Sequence, residues 1–295
     1  MPTPTTISSH QNPLIRQVLR LRDNRWRQRQ RAVLVDGVRE IQRAISGGLR
    51  LRHLFVAEAE AENDEADESQ RNTDTRRLVA AAGTAAVTVT GGLMERIAYG
   101  GNPRGAVAVF ETPPDDSLDA LVLPESPLVI ILVAIEKPGN IGAIFRSADA
   151  IGADAVVLCD TVSDRFNPNL IRASLGTVFS VPTAAAGLTA TLEWIRRHSL
   201  TCCTTVVTAE RTFWDVDYRR PTAIVMGAES TGLGEPWTTQ TGAVPSVDTI
   251  AVSIPMLGVA DSLNVSVAAA ALMFEASRQR RREGSRFDSD IRKNR

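Results

Sequence analysis

Apolar residues recur along this chain with two alternating periods, which sort it into short strands and helices. Asn12–Arg31 carries Leu14, Ile15, Val18, Leu19 and Leu21 between arginines, the pattern of one amphipathic helix. Ala32–Val35 reads as a strand, Gly37–Ile45 as a helix ended by Gly47 and Gly48, and Leu51–Ala57 as a second strand. A helix over Arg76–Ala82, a strand over Ala86–Thr90, a helix over Gly92–Ile97 and a strand over Ala106–Glu111 complete a small α/β unit. The periodicity then lapses over Thr112–Pro127, where Pro113, Pro114, Pro124 and Pro127 mark a linker, with the boundary near residue 120. Leu128–Ile135 resumes as an unbroken apolar run, expected of a parallel strand buried on both faces. Helices follow over Ile141–Ile151, Asn169–Leu175 and Thr189–His198, with a terminal helix from Ser262 to about Arg282. Strands are expected over Ala155–Cys159, Val178–Pro182, Cys202–Val207, Ala223–Met226 and Thr249–Ile254. The fold class is α/β: residues 1–111 form one domain, 112–127 a linker, and 128–295 a second domain built on a mainly parallel sheet.

Charge changes this picture only locally. The net charge is −1, yet residues 1–57 hold eleven Arg against three acids, and Glu58–Glu68 holds seven acids and no base. The first segment suits a nucleic-acid surface; the second is expected to be a solvated acidic loop, extending to Thr75. Either cluster could equally be a helix face turned to water. Lys137 and Lys293 are the only lysines, and arginine suits bidentate contact with phosphate and stacking on bases. Cys159, Cys202 and Cys203 show no CxxC spacing, and His10, His53 and His198 no ligand spacing, so neither a disulfide framework nor a metal is expected. The longest apolar run is too short for a bilayer and no leader-like segment opens the chain, so a cytoplasmic protein with no membrane partner is expected.

Parallel sheets bind ligands at the carboxyl ends of their strands. Three glycine-bearing loops fall there: Lys137–Gly142, Gly227–Gly234 and Pro255–Leu263. None has the GxGxxG spacing of dinucleotide enzymes. Gly227-Ala228-Glu229 follows a strand directly, where a glycine admits close backbone approach; the same loop would also serve as a plain turn. Asn264 suits a helix cap, and a helix start beside such loops also suits a carboxylate or adenosine edge. Arg146, six residues past Asn140, would on its own more often be a surface ion pair, and an ordinary guanidinium stays protonated.

Together these residues resemble the SpoU/TrmH family of S-adenosylmethionine-dependent RNA 2′-O-methyltransferases. The likeness rests on Glu136–Arg146, on Ile224–Gly234, and on Ser253–Met256 followed by Ser262–Ala268, with Asn167-Pro168 and Arg172–Gly176 between. It covers about residues 128–282. It implies a deep trefoil knot over roughly Met226–Ala270 and a homodimer through the C-terminal domain. It implies S-adenosylmethionine as cofactor, without metal, held by Gly227, Ile254, Met256 and Leu263 with Thr204 or Thr205. Arg146 then matches the catalytic arginine that helps deprotonate the ribose hydroxyl, with Asn140, Glu229 and Asn264 bracing donor and substrate. Arg172 and Ser174 would meet phosphate. Ala32–Glu40 looks like part of an L30e-like substrate-binding domain, whose RNA contacts would be Arg16, Arg20, Arg25, Arg27 and Arg31. Within the family the chain is similar to 23S rRNA methyltransferases of antibiotic-producing actinobacteria, the avilamycin-resistance type ahead of the thiostrepton type. The partner implied is therefore 23S rRNA or the large ribosomal subunit. Alternatives are a tRNA ribose methyltransferase, suggested by Val216–Pro221, and a catalytically silent RNA-binding protein.

Overall fold

The computed structural model describes residues 6–58, 70–101, 104–113, 117–161, 163–229, 231–234, 237 and 247–281. Most of the expected acidic loop, residues 59–69, lies outside them. The chain divides into two compact units that are not contiguous in sequence. One comprises residues 1–115, 137–146 and 163–180, the other 116–136, 147–162 and 181–295.

The first unit opens with α1 (Pro13–Arg20) and α2 (Asn24–Gln30). One helix was expected here. The break has a local cause: Asp23 leaves the helical conformation and accepts from Arg25 N, capping a new helix. Then come β1 (Ala32–Asp36), α3 (Val38–Ser46), β2 (Leu51–Ala57), α4 (Gln70–Ala82), β3 (Ala86–Val89), α5 (Gly91–Ile97) and β4 (Ala106–Glu111). The α4 helix begins within the stretch expected as loop up to Thr75. The strands pair in the order β1-β4-β2-β3, antiparallel except for β2 with β3. Ile15, Val18 and Leu21 face Leu34, Phe55, Leu93, Ile97 and Val107 in one core.

Three arginines hold residues 163–180 to this unit. Arg27 is 4% exposed; it donates to Asp164 at 2.8 Å and to the carbonyls of Leu21 and Arg22. Arg43 donates to Leu175 O, and Arg172 to Tyr99 O. Asp36 takes the Tyr99 amide on one oxygen, while burial raises its carboxyl above the usual range.

The second unit is a six-stranded, wholly parallel sheet in the order β10-β8-β9-β5-β6-β7. The strands are β5 (Leu128–Val133), β6 (Ala155–Cys159), β7 (Thr183–Ala186), β8 (Thr201–Thr205), β9 (Thr222–Met226) and β10 (Thr249–Val252). The helices along this part of the chain are α6 (Pro138–Ile151), α7 (Pro168–Ala173), α8 (Leu188–Arg197) and α9 (Val265–Arg280), of which α7 and α6 up to Arg146 belong to the first unit. Val129, Ile131, Val157, Trp194, Ile195, Ala223 and Val225 share the core. The strand expected over Val178–Pro182 is instead a single 3-10 turn at Thr177–Phe179, and the strand lies later, at Thr183–Ala186. Gly176 at φ +83° and the bond from Thr177 Oγ1 to Ser174 O keep the chain turning there; the apolar residues are buried without being extended. The terminal helix starts at Val265 rather than Ser262, because Asn264 caps it. Its buried stripe, Val265, Ala269, Leu272, Met273 and Ala276, has helical spacing, and the helix packs on β9. No described helix is long and apolar enough to cross a membrane.

Removing Asp164 leaves Arg27 charged in the interior. Asp164→Ala is expected to lower stability in urea unfolding by about 3 kcal/mol, and the double variant with Arg27→Met to recover most of it. A double variant as unstable as the single one would refute this account.

Candidate functional site

The site grows from the ends of three neighbouring strands. Parallel pairing puts Thr204 opposite Val225, Val252 opposite Thr205 and Leu132 opposite Met226, so β5, β8, β9 and β10 end at one edge. Beyond that edge Thr205–Val207, Gly227–Glu229 with Gly232, Ile254, Met256 and Asp261–Asn264 line a cavity of about 340 Å³.

Each loop has a local reason for its path. A Cβ on Gly227 would lie 2.5 Å from the Gly232 carbonyl and 2.8 Å from Leu233 N, so only glycine permits this return of the chain. Gly232, at φ +64°, donates to Ala228 O at 2.8 Å and closes the turn. The loop after β8 is tied to the end of β10: Val206 N donates to Val252 O, Ser253 N to Arg211 O and Phe213 N to Ser253 O. Both strands stop two residues earlier than their apolar runs suggest, which frees Val206, Val207, Ser253 and Ile254 for the cavity. Val206, Val207, Val252, Val265 and Ala268 also line the cavity, although none was expected among the cofactor residues.

Asn264 does both things open to it. Its Oδ1 accepts from Ser266 N at 3.0 Å as the helix cap, while its Nδ2 donates to Glu229 Oε1 at 3.0 Å. The start of α9 is thereby joined to the Gly227 loop. Exposed Glu229 and Asp261 give this rim a negative character suited to a cationic group, while Val252, Ile254, Met256 and Leu263 supply apolar wall.

Of the expected cofactor residues, Thr205, Gly227, Ile254, Met256 and Leu263 line the cavity with Glu229 and Asn264. Thr204 does not: it is fully buried, and among the described residues its Oγ1 has no hydrogen-bond partner. Thr205 Oγ1 donates to Val225 O across the strands. Asn140 and Arg146 belong to the other unit, on α6, half-buried and exposed respectively. Near them Gly142 is structural, since a Cβ there would lie 2.6 Å from that of Ala173 and 2.7 Å from Leu170 O.

The expected RNA set needs correction. Arg16, Arg20, Arg25 and Arg31 are exposed. Arg27 is buried against Asp164, and Ser174 is fully buried, with its hydroxyl donating to Ile171 O and accepting from Gly176 N. Arg172 spends a guanidinium nitrogen on Tyr99 O. Residue type alone does not reveal such burial. Cysteine chemistry is also disfavoured: burial pushes Cys159 and Cys203 up to about 11 and Cys202 to about 12, far from thiolate at neutral pH. Among the described residues no group of His, Cys, Asp and Glu could hold a metal ion.

Residues 127–274 match the SpoU rRNA Methylase family, and residues 12–108 match the MRM3-like substrate binding domain. The chain is 34% identical over 253 residues to a 23S rRNA (uridine(2479)-2′-O)-methyltransferase of Streptomyces viridochromogenes, covering 84% of this chain and 83% of that one. A solved RNA 2′-O ribose methyltransferase aligns with a TM-score of 0.78 at 38% identity, covering 94% of this chain and 99% of that chain. The SpoU methyltransferase AviRb of Streptomyces viridochromogenes, in complex with the cofactor AdoMet, gives a TM-score of 0.77 at 31% identity, covering 91% of this chain and 99% of that chain.

The double role of Asn264 is open to measurement. Asn264→Ala is expected to lower thermal-unfolding stability by about 1 kcal/mol, and Asn264→Ser, which keeps a cap but not the bond to Glu229, to restore most of it. Equal losses would mean that the Glu229 bond, not the cap, supplies the stability.

Proposed function

Because the chain belongs to the SpoU rRNA methylase family, we propose that it transfers a methyl group from S-adenosylmethionine to a ribose 2′-oxygen of 23S rRNA. The observation that carries this reading is the cavity at the strand ends, built by Gly227–Glu229, Ile254–Met256 and Leu263–Asn264. Its size and chemistry fit the donor. About 340 Å³ suits a compact small molecule, the apolar wall suits an adenine ring, and Glu229 and Asp261 suit cationic amino and sulfonium groups.

The bound donor supplies a methyl carbon on sulfur that an oxygen nucleophile attacks in line. Gly227, Ile254 and Leu263 hold the donor through main-chain groups and apolar contact, with Thr205 and Met256 beside them. Glu229 and Asn264 keep the loops together. Asn140 orients the ribose, and Arg146 stabilises negative charge building on O2′ while the hydroxyl proton passes to water and the donor sulfur keeps the electron pair of its broken bond to methyl, since a guanidinium is a poor proton acceptor. In-line geometry makes positioning a large share of the rate.

In the same reading, residues 1–111 bind the substrate, 112–127 link, and 128–295 carry the transfer chemistry. The trefoil knot expected over Met226–Ala270 rests on family membership, and residues 230, 235–236 and 238–246 of that span lie outside the described residues. Two copies pair through the C-terminal domain; Val267 and Phe274, seven residues apart on α9 and each about half exposed, support this. From the sequence resemblance alone, the methylation is proposed to protect the ribosome, in the cytoplasm, from an avilamycin-type antibiotic.

Labelled methyl should pass from S-adenosylmethionine to 23S rRNA, naked or in subunits, and map to a ribose. Transfer to tRNA alone, or to neither RNA, would overturn the assignment. Avilamycin tolerance of cells expressing the chain tests the protective role. Arg146→Ala should lower kcat by ~10²-fold or more and leave donor affinity nearly unchanged; loss of donor binding in a folded variant would give Arg146 a different role. Gly227→Ala should abolish donor binding in calorimetry, because its Cβ has no room beside Gly232.

A further inference from the structure

The basic helices of the first unit hold one aromatic ring that has no part in the core. Trp26 on α2 is only half-buried, whereas Trp194 and Trp237 are 1% and 2% exposed. Two guanidinium groups attend its ring: Arg20 Cζ from α1 lies 4.5 Å from the centroid and Arg29 Cζ 5.3 Å. Arg16 and Arg20 are four apart on α1, and Arg25 and Arg29 are four apart on α2, so each pair shares a helix face. All four are exposed. The one acid within these helices and their junction, Asp23, is engaged by Arg25 N as a helix cap. The result is an aromatic face set in an electropositive surface.

We propose that Trp26, with Arg20 and Arg29, is a stacking site for an unpaired nucleobase of the RNA substrate; this rests on the RNA reading above. An indole face accepts a base of any identity. A guanidinium parked on that face is pre-ordered, and it can move to the phosphate of the nucleotide whose base replaces it. Bases inside a duplex are already stacked and cannot reach the ring, so loops and single strands are selected. A polyanion without bases gains from the arginines but not from the ring, which separates stacking from plain charge attraction.

Binding of a single-stranded RNA oligonucleotide, a duplex RNA and heparin is compared for the full chain and for Trp26→Leu and Trp26→Phe. Trp26→Leu is expected to weaken the single strand at least about five-fold, the low end for one stacked base. Trp26→Phe should keep most of the affinity, and heparin binding should stay within about two-fold. Unchanged single-strand affinity in Trp26→Leu, or equal losses on RNA and heparin, overturns the stacking site. A second measurement needs no change at Trp26: in a Trp214→Phe background, the single strand should quench tryptophan fluorescence and heparin should not. Absence of that quenching also overturns the proposal. Methyl transfer is scored separately, so a chain that binds as expected but methylates nothing refutes the transfer reading alone.

Discussion

Parallel pairing is the constraint from which the site follows. In a sheet whose strands all run one way, every strand delivers the chain to the same edge, and polar loop backbone collects there. β8, β9 and β10 are neighbours in space but distant in sequence, so three remote loops close one cavity. Buried strands with apolar residues on both faces make the edge rigid. The loops beyond it need their own stitching, and they have it: Gly227 against Gly232, Val206 on Val252, Ser253 between Arg211 and Phe213. Glycine is required where the chain returns on itself, and that place is also where a ligand would meet bare backbone.

The helix that completes the cavity is held at both ends. At its start Asn264 satisfies a backbone amide and Glu229 together. At its end Arg280 donates to the carbonyls of Tyr218, Ser126, Pro127 and Arg220, and Gln279 bridges Val216 and Tyr218. One guanidinium thus serves four carbonyls at a loop junction, of which Pro127 O and Arg220 O also accept from Thr222. Between the two ends, an apolar stripe lies on β9. A shift of this helix would therefore disturb the cap, the stripe and the anchor together, which makes its first residues a firm wall.

Much of the sheet was legible because a buried parallel strand leaves an unbroken apolar run, as at Leu128–Val133 and Ala155–Cys159. The same signal failed at Val178, where a residue is buried by a turn rather than a strand. Strand ends were overrun at Val207 and Ile254 because apolar residues there serve a cavity, and hydropathy does not distinguish a ligand wall from a core. The glycine loops were readable from their place after strands. Neither methyl transfer nor the ribose oxygen could be read from spacing; both entered through likeness to a family.

Arginine count was the weakest guide, and the reason is physical. A guanidinium carries five donors and an apolar stem, so it serves equally as a buried tie, a carbonyl clamp or an exposed charge. Arg27, Arg43 and Arg172 spend themselves on Asp164, Leu175 O and Tyr99 O, which hold residues 163–180 to the first unit. Arg16, Arg20, Arg25, Arg29 and Arg31 remain at the surface. Interior arginines set where the chain goes, and only the exposed ones can answer to phosphate. Residues 163–180, which include the family-like segment Asn167–Gly176, are thus fastened by Arg27 and Arg43 from the N-terminal part of the chain and by their own Arg172. A change in that part's packing would reach this segment through three hydrogen-bonded side chains, without passing through the sheet.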